Sequence, residues 1–210
     1  MRAHLQHEMN LGEDLAKAGA ATAAAHAESQ SAGWLARATG LAEQFVINHV
    51  DLPSFQAIEL RAYAEANGLP SSFAQDNQSR SRPGVIRGLH FQRAPHGQGK
   101  LVSVARGAVW DVAVDLRPGS PTFARWLAVE LQAGDGRALW IPEGFGHGFC
   151  VLGDEDAVLT YKCTREYHAA SDGGVAYNEP AFGITWPVTG TPIVSDKDRT
   201  LPSLAELGLG

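Results

Sequence analysis

Apolar and polar side chains alternate with a period of two from about residue 73 onward, and turn residues interrupt the alternation at short intervals. Between residues 109 and 116, the apolar side chains of Trp110, Val112, Val114 and Leu116 share one face of an extended strand. Further strands are predicted at 101–104, 123–131, 138–141, 148–152 and 157–167, the last with Leu159, Tyr161 and Cys163 on one face. Because no long helix separates these strands, the pattern predicts an all-β sandwich or barrel and not an α/β fold.

The first third of the chain has a different pattern. Residues 15–27 contain eight alanines in thirteen positions, and alanine is the best helix former. We therefore expect a helix over 11–27, and two more over 34–48 and 55–67. The predicted organisation is an atypical, helical N-terminal segment at residues 1–68, followed by a β domain at residues 69–210.

Composition and charge exclude several classes of protein. The 210-residue chain is 44% hydrophobic and has a net charge of −6, which is unfavourable for a protein that binds nucleic acid through a basic face. No apolar run approaches the roughly 18 residues of a membrane span, and no secretory signal is seen. Two cysteines, Cys150 and Cys163, are too few for a disulfide scaffold. These features predict a cytoplasmic protein that contacts neither membrane nor nucleic acid.

One predicted turn carries a family motif. Residues 141–149 read IPEGFGHGF, and the spacing of Pro142, Gly144 and His147 resembles the second motif of the cupins, which are double-sheet jelly rolls. Many cupins bind a metal ion through an upstream His-x-His pair and a glutamate as well. Here the upstream segment supplies only His90, and a tight site needs three or more protein ligands. We therefore expect no metal ion.

Polar residues are interleaved with apolar ones in three nearby segments, 75–77, 87–92 and 98–102. A charged side chain is costly to bury without a partner. Each polar residue alone is explained as a turn or edge residue, whereas the group together indicates a site. Two more segments add candidates, YKC at 161–163 and SDKD at 195–198, although the second alone is typical of a charged loop.

Taken in order, these segments resemble the dTDP-4-dehydrorhamnose 3,5-epimerase family. The resemblance runs from about residue 73 to 204 and rests on QDNQSRS, GVIRGLHFQ, QGKLVSVARGAVWDVAVDLRPGSPTF, LWIPEGFGHGF, YKC and SDKD. It implies a metal-free cupin of the double-stranded β-helix type, a homodimer, and no cofactor. It also implies a dTDP-linked 4-keto-6-deoxyhexose as substrate, epimerised at C3 and C5 for dTDP-L-rhamnose biosynthesis.

The resemblance also implies roles for individual residues. His90 is the implied base, Asp198 the carboxylate that orients it, and Tyr161 the acid on the opposite face. Lys100 faces the oxygen that becomes negative. Epimerisation next to a ketone needs such a base, acid and enolate stabiliser. The implied substrate-binding residues are Gln75, Asp76, Asn77, Arg87, Lys100, His147, Tyr167 (which stacks on thymine), Asp172 (in place of a glutamate) and Lys197.

The family's N-terminal pattern, Asp-x-Arg-Gly-x-Phe-x-x-Glu, is incomplete here. Asp51 fits it, but Pro53 stands at the arginine position. Three alternatives stay open. They are an epimerase that acts at a single carbon, a cupin that binds sugar nucleotides without turnover, and, least supported, a metal-dependent cupin oxygenase or isomerase.

Overall fold

The described part of the chain consists mainly of β-strands. The computed structural model describes residues 46–47 and 69–209. The strands are β1 (Val46–Ile47), β2 (Gln75–Ser81), β3 (Val85–Gln92), β4 (Lys100–Arg106), β5 (Ala108–Asp115), β6 (Trp126–Gln132), β7 (Ala138–Ile141), β8 (Phe145–Leu152), β9 (Ala157–Cys163), β10 (Asp172–Gly174) and β11 (Ile193–Val194). A 3-10 helix at Ala169–Ser171 and a four-residue helix α1 (Asp196–Arg199) complete the list.

Two antiparallel sheets account for these strands. The first has the order β1-β7-β4-β9-β2, and the second has the order β10-β3-β8-β5-β6. Strand β11 joins the second sheet by pairing in parallel with the start of β3. The predicted all-β architecture with two packed sheets is confirmed, and it is the layer arrangement of a jelly roll.

The two faces of β5 serve different parts of the core. Val109 and Ala113 point between the sheets, where they join a cluster with residues of the opposite sheet such as Leu159. Val112 and Val114 point to the other face and pack against the C-terminal segment, together with the predicted partners Trp110 and Leu116. The face predicted from the alternation is therefore confirmed, although the C-terminal segment covers it.

The helix predicted over 34–48 is wrong at Val46–Ile47, because these residues are extended and pair with Leu139 and Ala138 of β7. The rest of that helix, and the helices predicted over 11–27 and 55–67, lie outside the described residues. Side-chain alternation in a sequence does not show which backbone groups a neighbouring strand will pair with, and that pairing decides a two-residue strand.

Strand ends differ from the prediction where side chains organise the turns. Strand β6 begins at Trp126 and not at residue 123, because Asp115 accepts hydrogen bonds from Arg117, Ser120 and Thr122 and holds the preceding loop. The alternation predicted over 157–167 ends at Cys163. The residues that follow Cys163 leave the sheet and border the site described below.

Among the described residues, no helix is long and apolar enough to cross a bilayer. Both cysteines are buried and free.

Candidate active site

A cleft of about 610 Å³ is lined by strands of both sheets and by the loop that carries α1. Strands β2, β4 and β9 of the first sheet supply lining residues, and so do β3, β10 and β11 of the second. Ten of the twelve residues that the resemblance singles out line this cleft: Gln75, Asn77, Arg87, His90, Lys100, Tyr161, Tyr167, Asp172, Lys197 and Asp198. The tertiary structure thus brings together residues that are up to 123 positions apart in the chain (198 − 75).

His90 and Asp198 form a hydrogen-bonded pair at this cleft. The distance from His90 Nε2 to Asp198 Oδ1 is 2.6 Å, and the carboxylate is 3% exposed. The backbone N–H of Gly88 donates to the other carboxylate oxygen at 3.3 Å. Burial by itself raises the pKa of Asp198, but the hydrogen bond from His90 and the further hydrogen bonds outweigh it, so the pKa lies below its usual value. The carboxylate is therefore ionised next to the imidazole.

The fold brings Asp198 to β3 through two short elements. Strand β11 pairs with Val85 and Ile86 at the start of β3. Helix α1 follows at once, with Ser195 as its N-cap, whose Oγ accepts a hydrogen bond from the backbone N–H of Asp198. The cap fixes the first turn of α1, and the carboxylate of Asp198 is thereby directed at His90.

Lys100 supplies a cation on the opposite sheet. Burial lowers the pKa of the Lys100 ammonium, while Cys163, Asp111 and Asp172 act in the other direction. Among the described residues, no side chain or backbone group makes a hydrogen bond or ion pair with Lys100 Nζ. The ammonium group is therefore available to an oxygen of a ligand in the cleft.

Tyr161 lies on β9, also in the sheet opposite His90. Burial raises the pKa of its phenol, Cys163 raises it further, and Arg87 lowers it. The hydroxyl is therefore protonated at neutral pH and can donate a proton. Because His90 and Tyr161 belong to different sheets, they reach the cleft from opposite sides.

Ligand-binding candidates surround this centre. Gln75 and Asn77 project from β2, and Arg87 projects from β3. Lys197 donates a hydrogen bond to Asp172, which raises the pKa of the lysine. Together these groups offer amides, two cations and a carboxylate to a polar ligand, and the two cations suit the phosphate groups of a nucleotide.

Tyr167 differs from the other candidates because its side chain is a large exposed aromatic ring. It is 53% exposed and lines the cleft. An aromatic face in this position suits stacking against a planar group.

Two candidates do not line the cleft. Asp76 lies on the outward face of β2, where its carboxylate binds Lys162 Nζ at 2.8 Å. His147 is 8% exposed, and its Nε2 lies 2.6 Å from Asp111 Oδ1. Their substrate-binding roles stay predictions.

Asp111 is a residue that the sequence analysis did not single out. Its side chain is fully buried, and its Oδ2 has no hydrogen-bond partner within the described part of the chain. The signal was present in the sequence, because a carboxylate interrupts an apolar strand on the face opposite Trp110 and Val112. In the same described residues, no three histidine, cysteine, aspartate or glutamate side chains are grouped to hold one metal ion.

Comparison with known proteins gives one consistent result. A family model described as dTDP-4-dehydrorhamnose 3,5-epimerase matches residues 53–206. The match begins upstream of residue 69, inside the segment predicted to be an N-terminal appendage. A dTDP-4-dehydrorhamnose 3,5-epimerase of Escherichia coli is 48% identical over 153 residues, which cover 73% of this chain and 82% of that protein.

Solved structures agree in fold. A crystal structure of dTDP-6-deoxy-D-glucose-3,5-epimerase from Legionella pneumophila, in complex with dTDP-4-keto-L-rhamnose, superimposes with a TM-score of 0.69. It is 43% identical, and the match covers 78% of this chain and 89% of that one. A 3'-monoepimerase from Streptomyces bikiniensis, in complex with dTDP-quinovose, has a TM-score of 0.64 at 39% identity, over 70% of this chain and 76% of that one.

Proposed function

The chain belongs to the dTDP-4-dehydrorhamnose 3,5-epimerase family, and on that premise we propose that it converts dTDP-4-dehydro-6-deoxy-D-glucose into dTDP-4-dehydro-L-rhamnose. The reaction inverts C3 and C5 and serves dTDP-L-rhamnose biosynthesis. The observation that carries the proposal is the 2.6 Å pair of His90 and Asp198, in a cleft that also contains Lys100 and Tyr161. The protein is an isomerase with the cupin-type jelly-roll fold that the sequence predicted.

His90 removes the proton next to the ketone. The ionised Asp198 accepts a hydrogen bond from Nε2–H, so the lone pair of the neutral imidazole is on Nδ1. When the C–H bond breaks, its electron pair forms the C=C bond of an enolate, and the ketone oxygen becomes negative. The ammonium of Lys100 stabilises this oxygen.

Tyr161 completes the inversion. Its phenol donates a proton to the same carbon from the face opposite His90, and the ketone re-forms. The substrate loses one proton and gains one, so no oxidant or reductant is consumed. Exchange with solvent returns the imidazolium and the phenolate to their starting states, and the cycle repeats at the second carbon.

The remaining residues hold the dTDP group and the sugar. Arg87 and Lys197 suit the diphosphate, because guanidinium and ammonium groups donate to its oxygens. Tyr167 suits the thymine ring. The other residues that we propose for substrate binding are Gln75, Asp76, Asn77, His147 and Asp172.

NMR in deuterated water tests the function directly. With dTDP-4-keto-6-deoxyglucose as substrate, we expect deuterium at both C3 and C5 and an L-configured product. Deuterium at one carbon would instead support a single-carbon epimerase, which the likeness to the 3'-monoepimerase favours as the second candidate. A folded protein that binds the sugar nucleotide without any exchange would overturn both candidates in favour of a binding cupin.

We further propose a cytoplasmic homodimer that binds neither nucleic acid nor membrane. In the described part of the chain, β2 pairs only with β9, so its other edge is open, and open edges need covering. The free thiols of Cys150 and Cys163 suit a reducing compartment. We retain the division into an N-terminal segment at residues 1–68 and a catalytic domain at 69–210, with β1 of the first segment pairing with β7 of the domain. Light scattering on the purified protein would test the dimer, with a monomer mass as the contrary result.

A further inference from the structure

The segment that carries Tyr167 lies outside the sheets. Strand β9 ends at Cys163, and residues 164–168 have no ladder of backbone hydrogen bonds. Thr164 is still held next to β4, because its backbone N–H donates to the carbonyl of Gly99, the residue just before that strand, at 3.0 Å. Beyond that point, other groups must satisfy the backbone.

Three glutamine side chains supply those bonds. Gln98 Nε2 donates to the carbonyl of Arg165 at 2.7 Å. Gln75 Oε1 accepts from the backbone N–H of Tyr167 at 2.6 Å. Gln92 Oε1 accepts from the backbone N–H of His168 at 3.1 Å. The glutamines come from β2, from β3 and from the residues just before β4, so three separate parts of the chain hold one short segment.

The chemistry of the backbone orients each amide. A backbone N–H only donates and a carbonyl only accepts, so each glutamine can serve its partner in one orientation alone. Gln92 and Gln98 are 6% and 8% exposed. A buried amide that loses its hydrogen-bond partner has no water to replace it, so the loss costs free energy. In Gln75 the remaining amide nitrogen donates to Asn77 Oδ1 at 2.6 Å. These bonds therefore form a specific arrangement.

His168 adds a second restraint after Tyr167. Its ring stacks on the ring of His96, with centroids 3.7 Å apart and an interplanar angle of 7°. Both rings also contact the hydroxyl of Ser171 through Nδ1. The backbone is thus held on both sides of Tyr167, while the Tyr167 ring itself is half exposed at the cleft.

We propose that Gln75, Gln92 and Gln98 are positioning residues, which fix the backbone around Tyr167 before a ligand arrives, so that the ring offers its face to the base of a nucleotide. Ordering a loop during binding costs free energy, and a loop that is already ordered avoids this cost. The inference rests on the proposed nucleotide site but does not depend on turnover.

Binding of two ligands tests the proposal. The first probe is dTDP, which has the base, and the second is inorganic pyrophosphate, which lacks it. We expect Gln92→Met and Gln98→Met each to weaken dTDP binding by about 3- to 10-fold, the value of one buried hydrogen bond. Pyrophosphate binding should change less than about twofold, because pyrophosphate has no base to stack on the Tyr167 ring. Gln78→Met, on the exposed face of β2, is the matched control and should change neither.

A double-mutant comparison separates positioning from general destabilisation. In a Tyr167→Ala background, the two methionine substitutions should no longer weaken dTDP binding, because the ring that they position is absent. In the parent background, KM for the sugar nucleotide should rise by a larger factor than kcat falls. The proposal would be overturned if the methionine substitutions weakened dTDP and pyrophosphate binding equally, or if they weakened neither. It would also be overturned if they weakened dTDP binding as much in the Tyr167→Ala background as in the parent.

Hydrogen exchange gives a test that needs no variant. In the ligand-free protein, the amide hydrogens of Tyr167 and His168 should exchange more slowly than those of an unstructured peptide, because glutamine oxygens accept their hydrogen bonds. Free exchange at both amides would contradict the proposal even if the methionine variants fail to fold. A protein that binds dTDP as expected but shows no deuterium incorporation into substrate would refute the epimerase function and leave this inference intact.

Discussion

His90 and His147 are direct cross-strand partners on β3 and β8, and each imidazole is hydrogen-bonded through Nε2 to its own aspartate at 2.6 Å. The partner of His90 is Asp198, at the cleft. The partner of His147 is Asp111, which is fully buried. The two pairs are alike in geometry but differ in access, since His90 lines the cleft and His147 does not. We therefore assign proton abstraction to the first pair.

Substitution of either member of the first pair should remove catalysis. His90→Ala should slow deuterium incorporation by about 10²- to 10⁴-fold, the usual contribution of a general base. Asp198→Asn should cause a loss in the same range, because the asparagine amide can donate to Nε2 and so leave the proton on Nδ1. The measurement is NMR of the substrate in deuterated water.

Asp196→Asn is the matched control for Asp198→Asn, because Asp196 is on the same helix and its side chain is fully exposed. The control should keep the parent rate. A His90→Ala protein that is folded and keeps most of its activity would disprove the role of His90.

Tyr161→Phe should separate exchange from inversion. His90 remains able to remove a proton and return one to the same face, so deuterium should still enter the substrate. Inversion needs an acid on the other face, and its rate should fall by about 10²-fold or more. NMR measures both quantities in one sample. Inversion at the parent rate would show that another group donates the proton.

Asp111→Asn should move the alkaline limit of activity to lower pH. In the proposed mechanism the ammonium of Lys100 stabilises the enolate, and its pKa is already lowered from 10.5, first by burial. The charged and titratable groups that oppose this shift are Cys163, Asp111 and Asp172. Removing the charge of Asp111 lowers the pKa of Lys100 further, so the ammonium is lost at lower pH. The pH dependence of kcat measures this shift.

Asp115→Asn is the control for that pH profile, because it removes a buried carboxylate that does not act on Lys100. Its alkaline limit should match that of the parent protein. An Asp111→Asn profile that matches the parent's would show that Asp111 does not sustain the charge of Lys100.

Asp115→Asn should instead reduce stability. Burial disfavours the charged Asp115, but hydrogen bonds from Arg117, Ser120 and Thr122 outweigh it and hold the pKa well below 3.8. Loss of these charge-assisted bonds should cost about 2–3 kcal/mol in the free energy of unfolding at pH 7. A carboxyl group whose pKa is lower in the folded than in the unfolded chain stabilises the folded state at pH values above its unfolded pKa. The difference from the parent should therefore shrink as the pH falls below 3.8. Urea unfolding at several pH values measures it, and a difference independent of pH would contradict the assignment.

Much of the fold was predictable from local pattern. The alternation around Trp110 and Val112 gave the correct face of β5, and the strand at 138–141 has the predicted ends. The errors lie where side-chain hydrogen bonds and strand pairing decide which residues join a strand. Asp115 delays the start of β6, and β7 draws Val46–Ile47 into a sheet. Neither effect is visible in hydropathy, because the first depends on hydrogen bonds that a carboxylate accepts within its own loop, and the second depends on a strand remote in sequence.

The sequence by itself determined the family, the all-β class and the types of chemical groups in the site, because each rests on short motifs in a definite order. Only the tertiary structure decided which groups meet. It placed Asp198 against His90 across 108 positions of chain, and it turned Asp76 outward to Lys162. It also revealed Asp111 and the three glutamines that hold the Tyr167 segment. The physical reason is that a hydrogen bond depends on distance and direction in space, whereas a motif records only order along the chain.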